Sequence, residues 1–178
     1  MRVITGKYKG RRFEVPRTFK ARPTTDFAKE NLFNVLAGYV DFDSEPRALD
    51  LFAGTGSITI ELLSRGCGSV TSVELDAQHY AFIRGVLREL KDDDCTLLRA
   101  DVLKVLRRLP GPYDIIFADP PYALPQLPEL PAMVLEREGL LADGGIFILE
   151  HGRDNDFSSH PRFLDHRHYG SVNFTLFQ

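Results

Sequence analysis

Residues 48–75 read ALDLFAGTGSITIELLSRGCGSVTSVEL, and this stretch decides the fold. An apolar run from Ala48 to Phe52 breaks at Gly54 and Gly56, and residues 57–66 then carry apolar side chains at helical spacing up to Gly66. SVTSVEL, at 69–75, is again rich in β-branched residues. Strand, glycine turn, helix and strand in this order form a unit of a parallel sheet, with a right-handed crossover.

The alternation continues outward. Helices are predicted at 77–90, 102–109 and 126–138, and strands at 95–100, 113–119 and 145–150. RFLDHRHYG and SVNFTLF near the end are strand-like with no helix between them, which predicts an antiparallel hairpin at a sheet edge. Upstream, RVIT (2–5) and RRFEV (11–15), separated by Gly6 and Gly10, predict a basic β-hairpin. Arg22 to Asp26 supply a turn and cap for a helix that ends near Gly38, with Phe27, Leu32, Phe33, Leu36 and Tyr39 as its apolar face. The expectation is an α/β chain built on a doubly wound, mostly parallel seven-stranded Rossmann-like sheet with an antiparallel C-terminal hairpin. It is read as a single domain, 1–178, in which residues 1–40 extend a core at 46–178.

A chain of 178 residues that is 43% apolar and 26% charged suits one packed domain and excludes a disordered or fibrous protein. No apolar run approaches the ~20 residues of a membrane span, and the basic start lacks the apolar stretch of a signal peptide. A cytoplasmic protein without a membrane partner is expected. Cys67 and Cys95 have neither CxxC spacing nor a nearby histidine, so both read as buried small apolar residues and no metal site is expected. The net charge of −3 conceals an asymmetry. Residues 1–22 hold eight basic groups against one acid, and the rest of the chain carries 14 basic and 24 acidic groups. Such an arm, with Lys7, Lys9, Arg11, Arg12 and Arg22, suits a phosphate backbone, although a solvated terminus has the same composition.

In an open parallel sheet, ligands bind beyond the carboxyl ends of the strands. Four predicted strand ends carry polar groups. Asp50-Leu51-Phe52-Ala53-Gly54-Thr55-Gly56 is a GxG turn that lacks the third glycine of a dinucleotide fingerprint and places a carboxylate where a pyrophosphate would be repelled. A cationic, phosphate-free ligand such as S-adenosylmethionine fits better. Glu74 follows Gly54 at the spacing of an acid that accepts from a ribose diol, and Asp101 is either an adenine acceptor or a helix N-cap. Asp119-Pro120-Pro121-Tyr122 is a rigid turn that offers carbonyl and carboxylate acceptors with few competing N–H groups. Asp119 and the Pro120 carbonyl could accept both hydrogens of a planar exocyclic amine and localise its lone pair, with Tyr122 stacked on the base.

The order DLFAGTG, VEL, RAD, DPPY resembles the class I S-adenosylmethionine-dependent methyltransferases that modify exocyclic amines. Within that class, GKYKGRRFEVP, ARPTTDFAKENLFNVL, DLFAGTGSITIELLSRG, DIIFADPPY and GIFILEHG resemble the RsmD family, the 16S ribosomal RNA guanine-N2 methyltransferases. The resemblance runs from Met1 to about Gly152 and includes Tyr169-Gly170, with RPTTD its most specific segment. It implies that Asp50, Phe52, Ala53, Gly54 and Gly56 surround the methionine part of S-adenosylmethionine, Glu74 its ribose and Asp101 its adenine. It also implies that Asp119, Pro120, Pro121 and Tyr122 hold the target guanine, and that the basic arm grips 16S ribosomal RNA within an assembling small-subunit particle. A monomer is expected. Two departures stand out: Ser57 to Ile60 are bulkier than the family's small-residue run, and ALPQLPELP after Tyr122 lacks a basic residue. His151 reads as a surface or hydrogen-bonding residue. The same acceptor turn would serve adenine N6 or a protein glutamine amide, and a non-catalytic RNA-binding assembly factor could keep the fold.

Overall fold

The computed structural model describes residues 1–20 and 24–178. Five parallel strands, β1 (Arg47–Leu51), β2 (Ser69–Glu74), β3 (Cys95–Arg99), β4 (Tyr113–Ala118) and β5 (Leu141–His151), are joined through α2 (Ser57–Arg65), α3 (Ala77–Leu90), α4 (Val102–Val105) and α5 (Leu130–Leu135). A hairpin of β6 (Phe163–Tyr169) and β7 (Val172–Phe177) completes a sheet ordered β3-β2-β1-β4-β5-β7-β6, with β7 antiparallel to both neighbours. The seven-stranded doubly wound sheet and its antiparallel C-terminal hairpin are as expected. The strand order reverses between β1 and β4, so their C-terminal ends open onto one crevice.

Strand parity sorts the core into two layers. Ala48, Val70, Ile115, Phe117, Ile146 and Ile148 face α2, α3 and the N-terminal helix α1 (Asp26–Leu36), whereas Leu49, Leu51, Ile116, Ala118, Phe147 and Leu149 face α4 and α5. By the same alternation Asp50, Asp119 and Glu150 fall on the α2 side, at the ends of three adjacent strands.

Several boundaries depart from the sequence reading. The helix predicted at 102–109 is α-helical only to Val105 and tightens to a 3-10 turn, because Pro110 disfavours a helical conformation at Leu109. The helix predicted at 126–138 shrinks to a 3-10 turn and α5, with Pro128 and Pro131 in their first turns. In α1 the buried face is Ala28, Lys29, Leu32, Phe33 and Leu36, whereas Phe27 and Tyr39 are 65% and 41% exposed. Phe27 sits one residue off the buried stripe and meets the edge of Tyr169 instead.

The predicted basic hairpin is realised only as a short antiparallel pairing: Met1 and Phe13 exchange backbone hydrogen bonds (3.0 and 2.9 Å), Val3 N donates to Arg11 O and Gly10 N to Val3 O (both 2.9 Å), around one bridge, Arg2 to Arg12, and the two predicted strands do not form. The next backbone donors go to α2: the Glu61 carboxylate accepts from Ile4 N (2.9 Å) and Thr5 N (3.1 Å), and Ser64 accepts from Lys7 N (2.8 Å) and Tyr8 N (2.9 Å). Gly6 permits the approach, with φ +92° and room for no side chain, since a Cβ would lie 1.7 Å from Ser64 O. Val3 and Phe13 complete the docking by entering the core. Arg22 lies outside the described residues.

Glu61 is fully buried and also accepts from Arg65 Nε at 2.8 Å, with Lys29 Nζ 3.7 Å away. Removing it strands two backbone donors and two cations. Glu61→Ala is therefore expected to cost about 3–5 kcal/mol in urea unfolding, and to expose Lys7–Arg12 to trypsin in the native protein. Unchanged stability and cleavage would show that the arm is held elsewhere.

Candidate active site at the strand ends

The first component is the turn from β1 into α2. Phe52, Gly54 and Gly56 all take positive φ, and a Cβ at Gly56 would come 2.9 Å from Ile83 Cγ1, so the turn is sharp and tightly backed by α3. Glu74, at the end of β2, fixes this turn: its Oε2 accepts from Gly54 N at 2.6 Å and its Oε1 from Asp76 N at 2.7 Å. Next to it Leu75 is 62% exposed, an apolar surface beside the turn that the sequence reading did not single out, since one leucine ending a strand carries no pattern. His79 lies beneath Phe19, ring centroids 4.3 Å apart, and its Nδ1 is 3.8 Å from Glu74 Oε1. The chain after the arm thus returns across the start of α3.

Asp50 is fully buried beneath the turn. Its Oδ2 accepts from the Thr59 hydroxyl at 2.6 Å, Thr59 in turn meets Ser72 Oγ at 2.6 Å, and the Asp50 Oδ1 has no partner among the described residues. Thr59, which departs from a small-residue helix start, is thus the hydroxyl that satisfies Asp50. Burial raises the Asp50 carboxyl from its ordinary 3.8 to about 7, against the Thr59 hydrogen bond. Asp101 caps α4 by accepting from Leu103 N at 3.0 Å, which realises the N-cap alternative and leaves Oδ2 only a distant contact with Lys104, at 3.9 Å.

The second component is the Asp119-Pro120-Pro121-Tyr122 turn after β4. Ala118 pairs with Leu149, so Asp119 and Glu150 are the next residues along adjacent strands, about 4.8 Å apart at ladder spacing. Asp119 is partly buried and accepts no side-chain hydrogen bond among the described residues, and its carboxyl is pushed well above the usual range by burial and then by Glu150 and Asp50. Glu150 is 5% exposed; Tyr122 Oη donates to its Oε1 at 2.9 Å, and its Oε2 has no hydrogen-bond partner among the described residues. Burial raises Glu150 to about 7, while the hydroxyls of Tyr122 and Thr24 hold it down, the second as a polar neighbour rather than a formed hydrogen bond. The Tyr122 ring packs on Gly152, where a Cβ would approach Cδ2 to 3.2 Å, and remains 47% exposed.

Glu150 is the residue that sequence reasoning passed over; only the β4–β5 register places it beside Asp119. His151 points away from the crevice into a hydrogen bond with Thr175 Oγ1 at 2.8 Å, which accords with a hydrogen-bonding role. Cys67 is buried and Cys95 half-buried, both with thiols pushed up to about 12 by burial.

The expected RNA-binding cations divide. Lys7 pairs with Asp92 at 3.0 Å and Arg11 with Glu89 at 2.7 Å, both acids belonging to α3 and the turn after it. Lys9 and Arg12 are exposed and make no ion pair among the described residues. The arm's charge is thus partly spent within the fold.

A group raised to about 7 in the fold favours folding while protonated, and that contribution fades as pH rises from about 4 through 7. Asp50→Asn is isosteric with the protonated acid. It should raise the unfolding temperature at pH 8, by roughly 2–4 °C for each kcal/mol of burial cost relieved, with the gain shrinking toward pH 4. A gain equal at both pH values would contradict the buried-carboxylate reading.

The family described as Conserved hypothetical protein 95 matches residues 1–178 of the chain. Ribosomal RNA small subunit methyltransferase D of Escherichia coli K12 is 32% identical over 181 residues, spanning 100% of this chain and 89% of that protein. The protein of the same name from Haemophilus influenzae is 31% identical over 188 residues, spanning 100% and 93%. Among solved structures, one from Escherichia coli superposes with a TM-score of 0.84 at 30% identity, covering 100% of this chain and 97% of that one. A hypothetical protein of Thermus thermophilus reaches 0.85 at 26% identity, covering 100% and 99%. With the glycine turn, the acidic strand ends and the DPPY turn brought onto one crevice, and with full-length relatives of this kind, the chain belongs to the RsmD family of ribosomal RNA small subunit methyltransferases.

Proposed function

We propose that the chain transfers the methyl group of S-adenosylmethionine to the exocyclic N2 amine of a guanine in small-subunit ribosomal RNA. The observation that carries this reading is the pairing of an acceptor-only turn, Asp119-Pro120-Pro121-Tyr122, with a glycine turn over a buried, half-satisfied carboxylate on the neighbouring strand. The residues present suit the cofactor. The Asp50 Oδ1, unpartnered among the described residues, calls for positive charge at the turn, the positive φ of Phe52, Gly54 and Gly56 makes that turn sharp at the strand end, and exposed Leu75 offers an apolar wall. On this reading Asp50, Phe52, Ala53, Gly54 and Gly56 surround its methionine part, Glu74 its ribose, and Leu75 with Asp101 its adenine.

When bound, S-adenosylmethionine supplies an electrophilic methyl group on a sulfonium. The chain supplies orientation. Asp119 and the Pro120 carbonyl accept the two N2 hydrogens, which localises the nitrogen lone pair and directs it out of the base plane. Pro121 stiffens the turn, and Tyr122, anchored through its hydroxyl to Glu150, offers its ring face to the base. Asp119 takes the proton that N2 gives up. In the free protein burial, and after it the charges of Glu150 and Asp50, raise the pKa of Asp119, and a cationic cofactor would oppose that rise and favour the ionised acceptor.

The basic arm docks the RNA phosphates, with Lys9 and Arg12 carrying the contact because Lys7 and Arg11 are engaged by α3-side acids. An unpaired loop base presented by an assembling small-subunit particle in the cytoplasm, met by a monomer, completes the reading. Adenine N6 is the second reading, since Asp119 serves either amine.

Asp119→Asn is expected to lower single-turnover methyl transfer to unmodified small subunits by about 100-fold or more while RNA affinity changes less than about 2-fold. Loss of both together would make the turn structural. Lys9→Ala with Arg12→Ala should weaken RNA binding and reduce the salt slope by about 1–2, and Lys7→Ala with Arg11→Ala should do less. The reverse ranking would show that the α3 ion pairs open on RNA binding.

A further inference from the structure

The β4–β5 register leaves an acceptor beside the amine-binding turn that amine binding alone does not need. Glu150 is buried, one oxygen is fixed by Tyr122, and the other makes no hydrogen bond among the described residues. An uncompensated buried carboxylate oxygen is costly, so its retention at a ligand crevice implies a donor brought by the ligand. Tyr122 belongs to the DPPY turn, so its 2.9 Å bond places the Glu150 carboxylate at that turn.

Beside its exocyclic amine, guanine carries a second donor, N1–H, on the same edge. Adenine carries its amine beside N1, which is an acceptor. A fixed carboxylate acceptor next to the amine site therefore pairs with guanine and repels adenine, and although burial raises the Glu150 carboxyl to about 7, the Tyr122 hydroxyl at 2.9 Å opposes that rise. Resting on the methyl-transfer reading above, we propose that Glu150 selects guanine over adenine, its free Oε2 accepting the N1–H of the target base while Asp119 holds the N2 amine.

2-Aminopurine separates the two contacts, because it keeps the 2-amine but its N1 is an acceptor. Small-subunit RNA carrying 2-aminopurine at the target position, located from the wild-type product and assembled into particles, is compared with the guanine form. The wild-type protein should prefer guanine by at least about 10- to 100-fold in kcat/KM. Glu150→Gln, whose amide can rotate to donate, should lower that ratio by about 10-fold or more, and Tyr122→Phe, which frees the Glu150 carboxylate, should lower it less. Equal use of both bases by the wild type overturns the proposal without reference to any variant. So does an unchanged ratio in a Glu150→Gln protein that methylates guanine. Failure of the wild type to methylate guanine at all would instead remove the methyl-transfer reading on which the proposal rests.

Discussion

Burial of carboxylates at the ends of three adjacent parallel strands is the constraint around which the rest is arranged. Asp50, Asp119 and Glu150 lie on one face of the sheet by strand parity, and burial drives each above its ordinary pKa. Charges so placed would ordinarily be replaced by apolar side chains or fully paired. Among the described residues Asp50 and Glu150 each keep a buried oxygen without a partner, Asp50 Oδ1 and Glu150 Oε2. The pairs that do form come from hydroxyls, Thr59 and Tyr122, which favour the ionised forms without neutralising them. A crevice of this kind stores demand for cations and N–H donors. On the proposed function, a sulfonium cofactor and the edge of a guanine would supply both.

The scaffold reaches this crevice from both ends of the chain. Lys29 of α1 is 1% exposed, and its Nζ donates to Arg2 O at 2.6 Å and to Ser57 Oγ at 2.9 Å, so one cation joins the arm to the first residue of α2, next to the glycine turn. Burial lowers the pKa of Lys29, with Glu61 the chief opposing influence. At the other end, β7 runs between β5 and β6, and Thr175 holds His151 immediately after Glu150. The arm that was read as an appendage is therefore part of the packing that fixes α2 and its turn.

The sheet was legible because parallel strands buried on both faces leave continuous apolar runs, and the helices between them leave glycine boundaries at Gly54, Gly56 and Gly66. Asp50 and Asp119 were legible for a related reason: a polar residue closing an apolar strand is conspicuous. Glu150 closes such a strand too, but its neighbour is set by register, and register is a property of pairing that no single strand carries. The arm pairs antiparallel as its alternation predicts, but the pairing stays short of two strands because the Glu61 carboxylate on α2 captures the donors of Ile4 and Thr5, a contact that sequence alone does not carry. Likewise the count of basic residues gave no sign that α3-side acids would claim Lys7 and Arg11, since those pairs join residues far apart in sequence.

The central claim is that acceptors at the ends of β4 and β5 direct an exocyclic amine of guanine at a sulfonium methyl group. It is tested most directly by incubating the protein with methyl-labelled S-adenosylmethionine and small ribosomal subunits lacking native modification, then digesting the RNA to nucleosides and separating them by chromatography. Label in N2-methylguanosine at a single position is the predicted result; label in N6-methyladenosine, or none on particles or naked RNA from a protein that binds the cofactor, would contradict it.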